Sequence, residues 1–291
     1  MKAVKLIKIE MRKALQGKPF LISLVIGVTI AVLGAVFAIL QEYDIWHAWE
    51  KIINADGTMN SNPLLAVSSL FRVWLGGNVD SVYTMVFYYF LPLLAALPYS
   101  WSLRSELKSG FVKHMVLKCG RLRYYFAKFS AAFLTGAVTV FIPLVINYII
   151  VACFVPARMP DPGDVIYHAV YRDFLFSKLF YTAPLLFDIV FMLLDALFAG
   201  VWASFVLSLA FFGLNKFVIL IGSYICLLFH QYITRVIVAY RFFIELSPFD
   251  FLRAYQSGSP PNGLVVAATL LVIFGAGVVV TVVRGTHDDV F

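Results

Sequence analysis

Residues 101–128 form a strongly basic stretch between two long apolar runs of the chain. These 28 residues contain one acid, Glu106, and seven cations: Arg104, Lys108, Lys113, Lys118, Arg121, Arg123 and Lys128. Each cation would cost about 2.5–3.5 kcal/mol at the centre of a bilayer, even on a lenient insertion scale. The stretch is therefore predicted to lie in water. Because cationic loops beside membrane spans stay in the cytoplasm, we expect it on the cytoplasmic side.

The composition assigns the apolar runs to a membrane. Hydrophobic residues make up 62% of the 291 residues and charged residues only 13%, against roughly 45–50% and 25% in soluble domains. This excludes a water-soluble core. The net charge of +7 lies mainly beside the apolar runs, which indicates membrane orientation rather than nucleic-acid binding. Three cysteines, far apart in the chain, predict no disulfide framework.

The apolar runs predict one all-α integral membrane domain, residues 1–291, with six transmembrane helices. The first run is 22 residues long, close to the roughly 20 residues that cross a bilayer and longer than the about 7–15 of a signal peptide. Prolines at positions 92, 98 and 143 predict bends in the second and third spans. The six predicted spans are about 19–40, 82–103, 126–155, 183–214, 217–233 and 264–283.

The distribution of cations predicts the orientation. Six spans put both termini on the same side of the membrane. The segments on the side of the termini carry 15 Lys and Arg residues, and the segments on the other side carry 8. This bias predicts that the N- and C-termini are cytoplasmic.

The segments between the spans predict further helices. Residues 1–18 have the pattern of an amphipathic helix at the inner membrane surface, although a plain cationic flank of the first span would look similar. On the external side we expect two short helices, at 45–53 and 64–75, and one interfacial helix over 165–180. Residues 234–262 are apolar yet charged, which favours an external re-entrant segment.

The chain lacks the common catalytic motifs. It contains no GxxxxGK[ST] phosphate loop, no HExxH, no CxxC and no GxSxG. Its five histidines are scattered, so no metal site is predicted from their spacing. We therefore expect no catalytic residue and no bound cofactor in this chain. A transporter without a motor must use a gradient or a separate ATPase.

Two acids lie within the fourth apolar run. Asp188 and Asp195 are seven residues apart and so share one face of a helix. Intramembrane carboxylates usually face the bundle interior or an aqueous cavity. Together with Asn147 of the third span, these two acids either line a possible substrate path or carry protons. Alternatively, Asp188 is an acid at the outer water boundary, and Asp195 makes a structural hydrogen bond to a neighbouring span.

The basic stretch contains a specific pattern. Glu106 and Gly110 are followed by the apolar run 115–117, then by Arg121, and Lys128 opens the third span. Here the sequence resembles the ABC-2 type permeases, the membrane subunits of one class of bacterial ABC exporter. Pro92, the IEMRKAL element around Glu10 and the SPFDFL element at 247–252 are similar to family features too. Cys119-Gly120 departs from the proline-containing turn that many members have.

The resemblance implies a mechanism and partners. Two permease copies, identical or not, associate in the bacterial plasma membrane, and two separate cytoplasmic ATPases bind ATP and Mg beneath them. A coupling helix in the loop 104–125 and the N-terminal helix contact each ATPase. The implied coupling residues are Glu106, Lys108, Gly110, Phe111, Lys113, Met115 and Arg121. The implied residues of the N-terminal interfacial helix are Lys5, Lys8, Glu10 and Arg12.

The substrate is expected to be amphipathic or hydrophobic, such as a peptide, a lipid-like compound or a drug, because the external segments form no large receptor domain. Two other functions remain open from the sequence. One is a gradient-driven secondary transporter, which needs polar groups at mid-membrane. The other is a non-transporting membrane scaffold or immunity protein. The scaffold would bind a partner and hydrolyse nothing. As a separate alternative to the coupling role, the basic stretch is a cationic face that only sets the topology.

Overall fold

The computed structural model describes residues 3–56 and 69–287 of the chain, and its regular structure is helical. In these two ranges there is no β-strand, and the one β-bridge is an isolated bridge between Glu245 and Pro261. Five helices in the described ranges are long and apolar enough to cross a membrane: Lys18–Ala48, Arg121–Ala152, Pro184–Phe212, Val218–Val238 and Gly263–Gly285. The helix Val82–Ala96 is apolar but shorter. The all-α class is therefore confirmed, and the long apolar helices are compatible with a multi-pass membrane protein.

The α-helices are numbered in chain order. The long ones, with α11 counted together with its flanking turns, are α2 (Lys18–Asp56), α4 (Val82–Ala96), α7 (Arg121–Ala152), α10 (Pro184–Ser208), α11 (Ser223–Ile233) and α14 (Gly263–His287). A 3-10 turn, Leu209–Phe212, continues α10, and π-helical turns, Val218–Gly222 and Thr234–Val238, flank α11. The short helices are α1 (Ala3–Leu15), α3 (Leu70–Val73), α5 (Ser102–Lys108), α6 (Phe111–Cys119), α8 (Val165–His168), α9 (Ser177–Thr182), α12 (Ala239–Phe242) and α13 (Pro248–Phe251).

The chain reverses direction between successive long helices, so its connections gather at two ends. The basic end contains α1, α5 and α6. The loop end contains residues 69–81, 153–183 and 239–262. Backbone hydrogen bonds tie the loop end together: Leu70 N donates to Pro156 O at 3.1 Å, Ala254 N to Gly76 O at 2.9 Å and Gln256 N to Ala169 O at 2.8 Å.

The helix bounds differ from the sequence expectation in several places. The first helix, α2, runs unbroken to Asp56 and absorbs the separate helix expected at 45–53. Of the helix expected at 64–75, residues 64–68 lie outside the described residues, and α3 covers the rest in part. The interfacial helix expected over 165–180 is wrong as one helix, because Ala169 and Phe176 adopt left-handed φ of 52° and 58° and divide it into α8 and α9.

Proline explains why α4 ends earlier than the predicted second span. Pro98 has no N–H, so it cannot donate to the carbonyl of Leu94 four residues before it. Ser23 Oγ of α2 donates to Leu94 O instead, at 2.7 Å. The helix ends at Ala96, and a turn leads into α5. Pro143, in contrast, lies inside the unbroken α7, and Gly27 of α2 leaves room for its ring.

Helices α7 and α10 pack closely through small residues. A Cβ added to Gly136 of α7 would lie 2.6 Å from Ala203 Cβ and 2.8 Å from Ala199 O of α10. Similarly, a Cβ on Gly200 of α10 would lie 2.8 Å from the carbonyl oxygen of Phe133. Small residues allow helix backbones to approach closely. In lipid, where no hydrophobic effect drives helices together, this close van der Waals packing is a main source of helix association.

We predict that Gly136→Ala destabilises the protein by about 1–3 kcal/mol, because overpacking forces α7 and α10 apart. In an open helix position the same change would stabilise by up to about 1 kcal/mol. Gly275→Ala in α14 is the matched control, since nothing lies within 4 Å of its added Cβ. The measurement is the melting temperature of the purified protein in detergent. Equal melting temperatures for the two variants would contradict the close packing.

Candidate functional site

A buried ion-pair cluster lies at the basic end, where α1, α5 and α7 meet. Its central residue is Lys128 of α7, whose side chain is 0% exposed. Two acids face it, Glu10 of α1 and Glu106 of α5, and both are buried. The cluster also contains Lys13, Tyr99 and Tyr124.

The ammonium of Lys128 has three oxygen partners. It lies 2.7 Å from Glu106 Oε1, 3.0 Å from Glu10 Oε2 and 2.8 Å from the hydroxyl of Tyr99. An ammonium has three N–H donors, so every donor has a partner. Its position 4.7 Å from the centre of the Tyr99 ring adds a cation–π contact.

The two carboxylates have further partners. The hydroxyl of Tyr99 donates to Glu10, and the hydroxyl of Tyr124 donates to Glu106. Lys13 of α1 also pairs with Glu106, from the water-exposed side of the cluster. Two acids and two lysines therefore balance in charge, which satisfies the requirement that buried charges be paired and hydrogen-bonded.

The electrostatics agree with an ionised Glu106. Burial alone would raise the pKa of this carboxyl, but Lys128 and the donors around it outweigh burial and hold the pKa below its ordinary value. A lowered carboxyl pKa stabilises the folded state above the unfolded pKa, and this stability is lost as pH falls through the folded pKa.

The local sequence explains how the cluster forms. In α1, Leu6, Glu10 and Ala14 are four residues apart and are buried, so they form the face that packs on α7. Lys5, Lys8 and Arg12 lie on the exposed face. Gly110, with φ of 72°, provides the left-handed turn between α5 and α6.

Helix α6 is fixed to the body on one side and open on the other. Val112 and Cys119 are buried, while Met115 is half-buried. The exposed face of α6 consists of Phe111, Lys113, His114, Leu117 and Lys118. Phe111 and Leu117 are 42% and 72% exposed, which is high for apolar side chains.

The structure brings some of the sequence-predicted coupling residues into the cluster and leaves others on the surface. Glu106 and Glu10 are buried and bonded inside the protein, rather than presented to a partner. Lys108 is exposed, and Gly110 and Arg121 are half-buried. The role of all these residues in coupling stays a prediction.

Sequence reasoning missed Lys13, Tyr99 and Tyr124 as members of the cluster. Lys128 was recognised only as the cation that opens the third span. A signal was present, because an ionisable residue inside an apolar run marks a functional or paired site. Its partners could not be identified, since Glu106 and Glu10 lie 22 and 118 positions away.

The possible substrate-path residues are all buried, but they differ in bonding. The amide of Asn147 is fully used by backbone: its Nδ2 donates to Ala31 O and its Oδ1 accepts from Leu75 N, both at 2.8 Å. Asp195 Oδ2 accepts from the hydroxyl of Tyr88 at 2.9 Å. Asp188 accepts no hydrogen bond from the described part of the chain. Asn147 therefore has a structural role.

A second polar cluster lies at the loop end. Asp250 accepts from Gln231 Nε2 at 2.6 Å and from Ser257 Oγ at 3.1 Å, and Arg253 Nη1 lies 3.8 Å from it. Glu245, also buried, accepts from Ser247 N at 3.1 Å. Burial and the nearby Asp250 carboxylate raise the pKa of Glu245 to about 7.

Metal ligation finds no support in the ranges 3–56 and 69–287. No group of three or more His, Cys, Asp or Glu side chains in these ranges is arranged to hold a metal ion. The basic-end cluster joins α1, α5 and α7 through paired charges.

We predict that Lys128→Met lowers the free energy of unfolding by about 3–5 kcal/mol, because it leaves the buried Glu10 carboxylate without a cation and leaves Glu106 with Lys13 alone. Lys118→Met, which removes an exposed cation of α6, should change stability by no more than about 0.5 kcal/mol. The measurement is the loss of folded protein with temperature at neutral pH. The triple variant Glu10→Gln, Glu106→Gln, Lys128→Met should recover part of the loss. A Lys128→Met protein as stable as the control would show that the cluster does not lock the helices.

The raised pKa of Glu245 predicts that the stability of the protein depends on pH. Because its folded-state pKa is raised to about 7, its contribution is fully present below the ordinary carboxyl pKa and is lost as pH rises through about 7. We expect the melting temperature to fall over this interval, and to fall less in Glu245→Gln. Asp44→Asn, an exposed acid of α2, is the control and should keep the wild-type slope. An unchanged slope in Glu245→Gln would refute the assignment.

Comparisons with known proteins give no match. No protein-family model, no curated protein and no solved structure is similar to this chain at the level that would indicate relationship. Any function proposed for the chain therefore rests on its own residues and contacts.

Proposed function

We propose that the chain is the membrane subunit of a bacterial ABC exporter of the ABC-2 type, driven by separate ATPase subunits in the cytoplasm. The supporting observation is the buried ion-pair cluster, which fixes α1 and α5 to α7. A membrane subunit without its own motor needs a rigid connection between the surface that receives force and the helices that move. The cluster supplies such a connection.

In this proposal the exposed face of α6 receives the ATPase. Phe111 and Leu117 are apolar and exposed among cations, so they suit an apolar groove with an acidic rim on a partner. Helix α6 follows α5 after a single turn at Gly110. Displacement of α6 therefore passes to α5, and from α5 to α7 through Glu106 and Lys128.

The proposal changes the role of Glu106. The carboxylate is buried and bonded to Lys128 and Tyr124, so it acts as an internal connector rather than as a direct contact of the ATPase. Glu10 does the same for the N-terminal helix. The direct contacts then come from the exposed face of α6, with support from Lys5, Lys8 and Arg12 on α1.

The rest of the proposed architecture is that of six spans with both termini in the cytoplasm. The short helix α4 supplies the sixth span, continued by the turn at 97–101. The basic end is cytoplasmic because it carries most of the cations. Two copies of the chain, or this chain and a similar one, associate, and ATP and Mg bind to the ATPases.

A lateral groove supports an amphipathic or hydrophobic substrate. It has a volume of about 840 Å³ and lies between α10, the segment Val218–Ile233 and α14. Its walls are mainly apolar and include Trp202, Leu227 and Val272. Ser223, His230 and Thr269 add a few polar groups, as in sites that orient a largely apolar ligand.

A gradient-driven secondary transporter is the second candidate. The observation that favours it is the pair of buried acids in α10, since such carriers place ionisable groups in the bundle interior. Against it, the basic-end cluster has no evident role in a carrier without a motor subunit. Transport that survives ATP depletion but stops when the proton gradient collapses would favour this second function.

We predict that Leu117→Asp lowers ATP hydrolysis by the complex about tenfold or more, since it places an acid at the centre of the proposed contact; tenfold corresponds to about 1.4 kcal/mol of binding. The measurement is vanadate-sensitive ATP hydrolysis by the tagged chain, purified in mild detergent from the membranes of its source cell. Met159→Asp, an equally apolar and exposed position at the loop end, is the control.

The wild type and Met159→Asp should carry the same ATPase activity, with an ATPase subunit in fixed ratio to the chain. A wild-type preparation that hydrolyses no ATP would overturn the proposed function. If Leu117→Asp has the same activity as the wild type, the ATPase partner stands but α6 is excluded as the surface that contacts it.

A further inference from the structure

Buried polar atoms without a hydrogen-bond partner are concentrated around α10. Native proteins leave few such atoms, and each one calls for an explanation such as a bound water or ion. In the described ranges this group lies where α10 meets α4, α7 and the segment before α4. Its members are Trp74 Nε1, Thr84 Oγ1, the Tyr148 hydroxyl, both oxygens of Asp188 and Asp195 Oδ1.

Asp188 is the outer of the two acids. Its side chain is 0% exposed, and neither oxygen accepts a hydrogen bond of normal geometry from the described residues. The Tyr148 hydroxyl and the Trp74 indole are close enough to act on it electrostatically. These two rings meet edge to face, with centroids 5.8 Å apart, and both act on Asp188.

Asp195 lies two turns deeper on the same face of α10. Its side chain is also 0% exposed. One oxygen accepts from the Tyr88 hydroxyl at 2.9 Å, and the other has no partner among the described residues. Thr84, one turn before Tyr88 on α4, is fully buried with its own hydroxyl unpaired.

An ionised form of these acids has nothing to balance it. An unpaired carboxylate in an apolar interior costs several kcal/mol even after relaxation, and such groups become neutral instead. Among the described residues the buried Lys and Arg side chains are already engaged: Lys128 with Glu10 and Glu106, and Arg253 with Asp250. The compensating charge must therefore be a bound cation or a proton.

The surrounding groups select the proton. A metal cation such as Ca²⁺ or Mg²⁺ needs about six oxygen ligands. Around Asp188 there are two carboxyl oxygens and one hydroxyl, and the Trp74 indole is a donor that repels a cation. Around Asp195 the described chain shows one hydroxyl partner, that of Tyr88. A proton needs one oxygen and leaves the hydroxyls free to bond the neutral acid.

We propose that Asp188 and Asp195 are two exchangeable proton-binding sites inside the helix bundle. In the conformation described, both carboxyl groups hold a proton as neutral acids. Asp188 lies in the second turn of α10 from the loop end, so it exchanges with water there. When α10 moves and either site opens to water, the acid releases its proton. This inference does not depend on the proposed ATPase partner.

The charged and titratable groups on the neighbouring elements do not change this assignment. Tyr148 of α7 and Tyr88 of α4 act on the two acids, and Arg253 and Tyr255 lie beyond Tyr88. The other elements packed on α10 carry their charges elsewhere. Lys178 of α9 is exposed, Arg72 of α3 pairs with Asp80 at 3.2 Å, and Arg284 of α14 lies over Phe212 at the basic end.

The first test is labelling with dicyclohexylcarbodiimide, which partitions into apolar regions and reacts with the neutral acid. The O–H of the acid adds across a C=N bond of the reagent, so the proton moves to nitrogen and nothing leaves. We expect mass spectrometry of the protein in lipid vesicles to find adducts on Asp188 and Asp195, with more label in acid than in alkaline buffer. Asp188→Asn and Asp195→Asn should each lose their own adduct, and Asp173→Asn, an exposed acid, should lose neither.

The second test does not need access by the reagent. Infrared spectra resolve the C=O stretch of a protonated carboxyl group, and exchange into D₂O shifts it. The background variant is Glu245→Gln, because Glu245 also holds a proton near neutral pH. We expect the band to fall by about half in each single Asn variant and to disappear in the double variant. Absence of the band, or its persistence in the double variant, would overturn the proposal.

Stability gives an independent readout. Asn has nearly the same shape as the neutral acid, so both single variants should keep the wild-type melting temperature or exceed it. If the acids are instead ionised and held by structural contacts, each substitution should lower the melting temperature by several degrees. That result, or loss of the band in only one single variant with no further loss in the double variant, would refute a pair of proton sites.

Discussion

The burial of Lys128 is the constraint on which the basic end depends. Removing an ammonium and a carboxylate from water costs several kcal/mol per ion, and their attraction offsets this only when geometry and hydrogen bonds are favourable. Lys128 therefore needs Glu10, Glu106 and Tyr99 together. These partners belong to α1, to α5 and to the turn before it. One lysine thus requires two separate pieces of chain, α1 and residues 99–106, to meet at a single point on α7.

The same cost gives specificity. If α1 shifts by one turn along α7, Glu10 leaves the cluster, and Lys128 loses one of its two acids. If α5 rotates, Glu106 loses Lys128 and Tyr124 at once. An apolar contact in this place would tolerate sliding, because dispersion and burial have no direction. The ion pairs permit one register, as expected of a connection that transmits displacement.

The sequence predicted the helical membrane class and most of the long helices, because span length and hydropathy are local properties of the chain. It failed where distant contacts decide. Ala169 and Phe176 adopt left-handed φ values, which cost roughly 1–2 kcal/mol per residue, so no local pattern indicates a break there. Glu106 was expected on a surface for the same reason. Its charge suggested water, and only the position of Lys128 explains its burial.

The interior of the bundle treats its polar groups in two ways. Ser23, Ser100 and Asn147 donate to backbone carbonyls of neighbouring helices at 2.7–2.8 Å, and so they stabilise packing. Asp188 and Asp195 stand apart, because three of their four oxygens have no partner in the described chain. Sequence reasoning grouped Asn147 with Asp188 and Asp195, because Asn and Asp within an apolar run give the same signal. Bonding distinguishes a structural group from one that exchanges a ligand.

Helix α7 joins the two polar regions. It carries Lys128 near the basic end and Tyr148 near the loop end, about 30 Å apart along the axis at 1.5 Å per residue. Between them, Gly136 contacts α10 so closely that a single methyl group does not fit. Interfaces of this kind are bistable rather than continuously deformable. In the proposed function, a displacement that passes through the Lys128 cluster moves α7 and, through this contact, α10, and so shifts Asp188 and Asp195 relative to Tyr148 and Tyr88. The proposed force at the basic end and the proposed proton exchange near the loop end thus act on one helix pair.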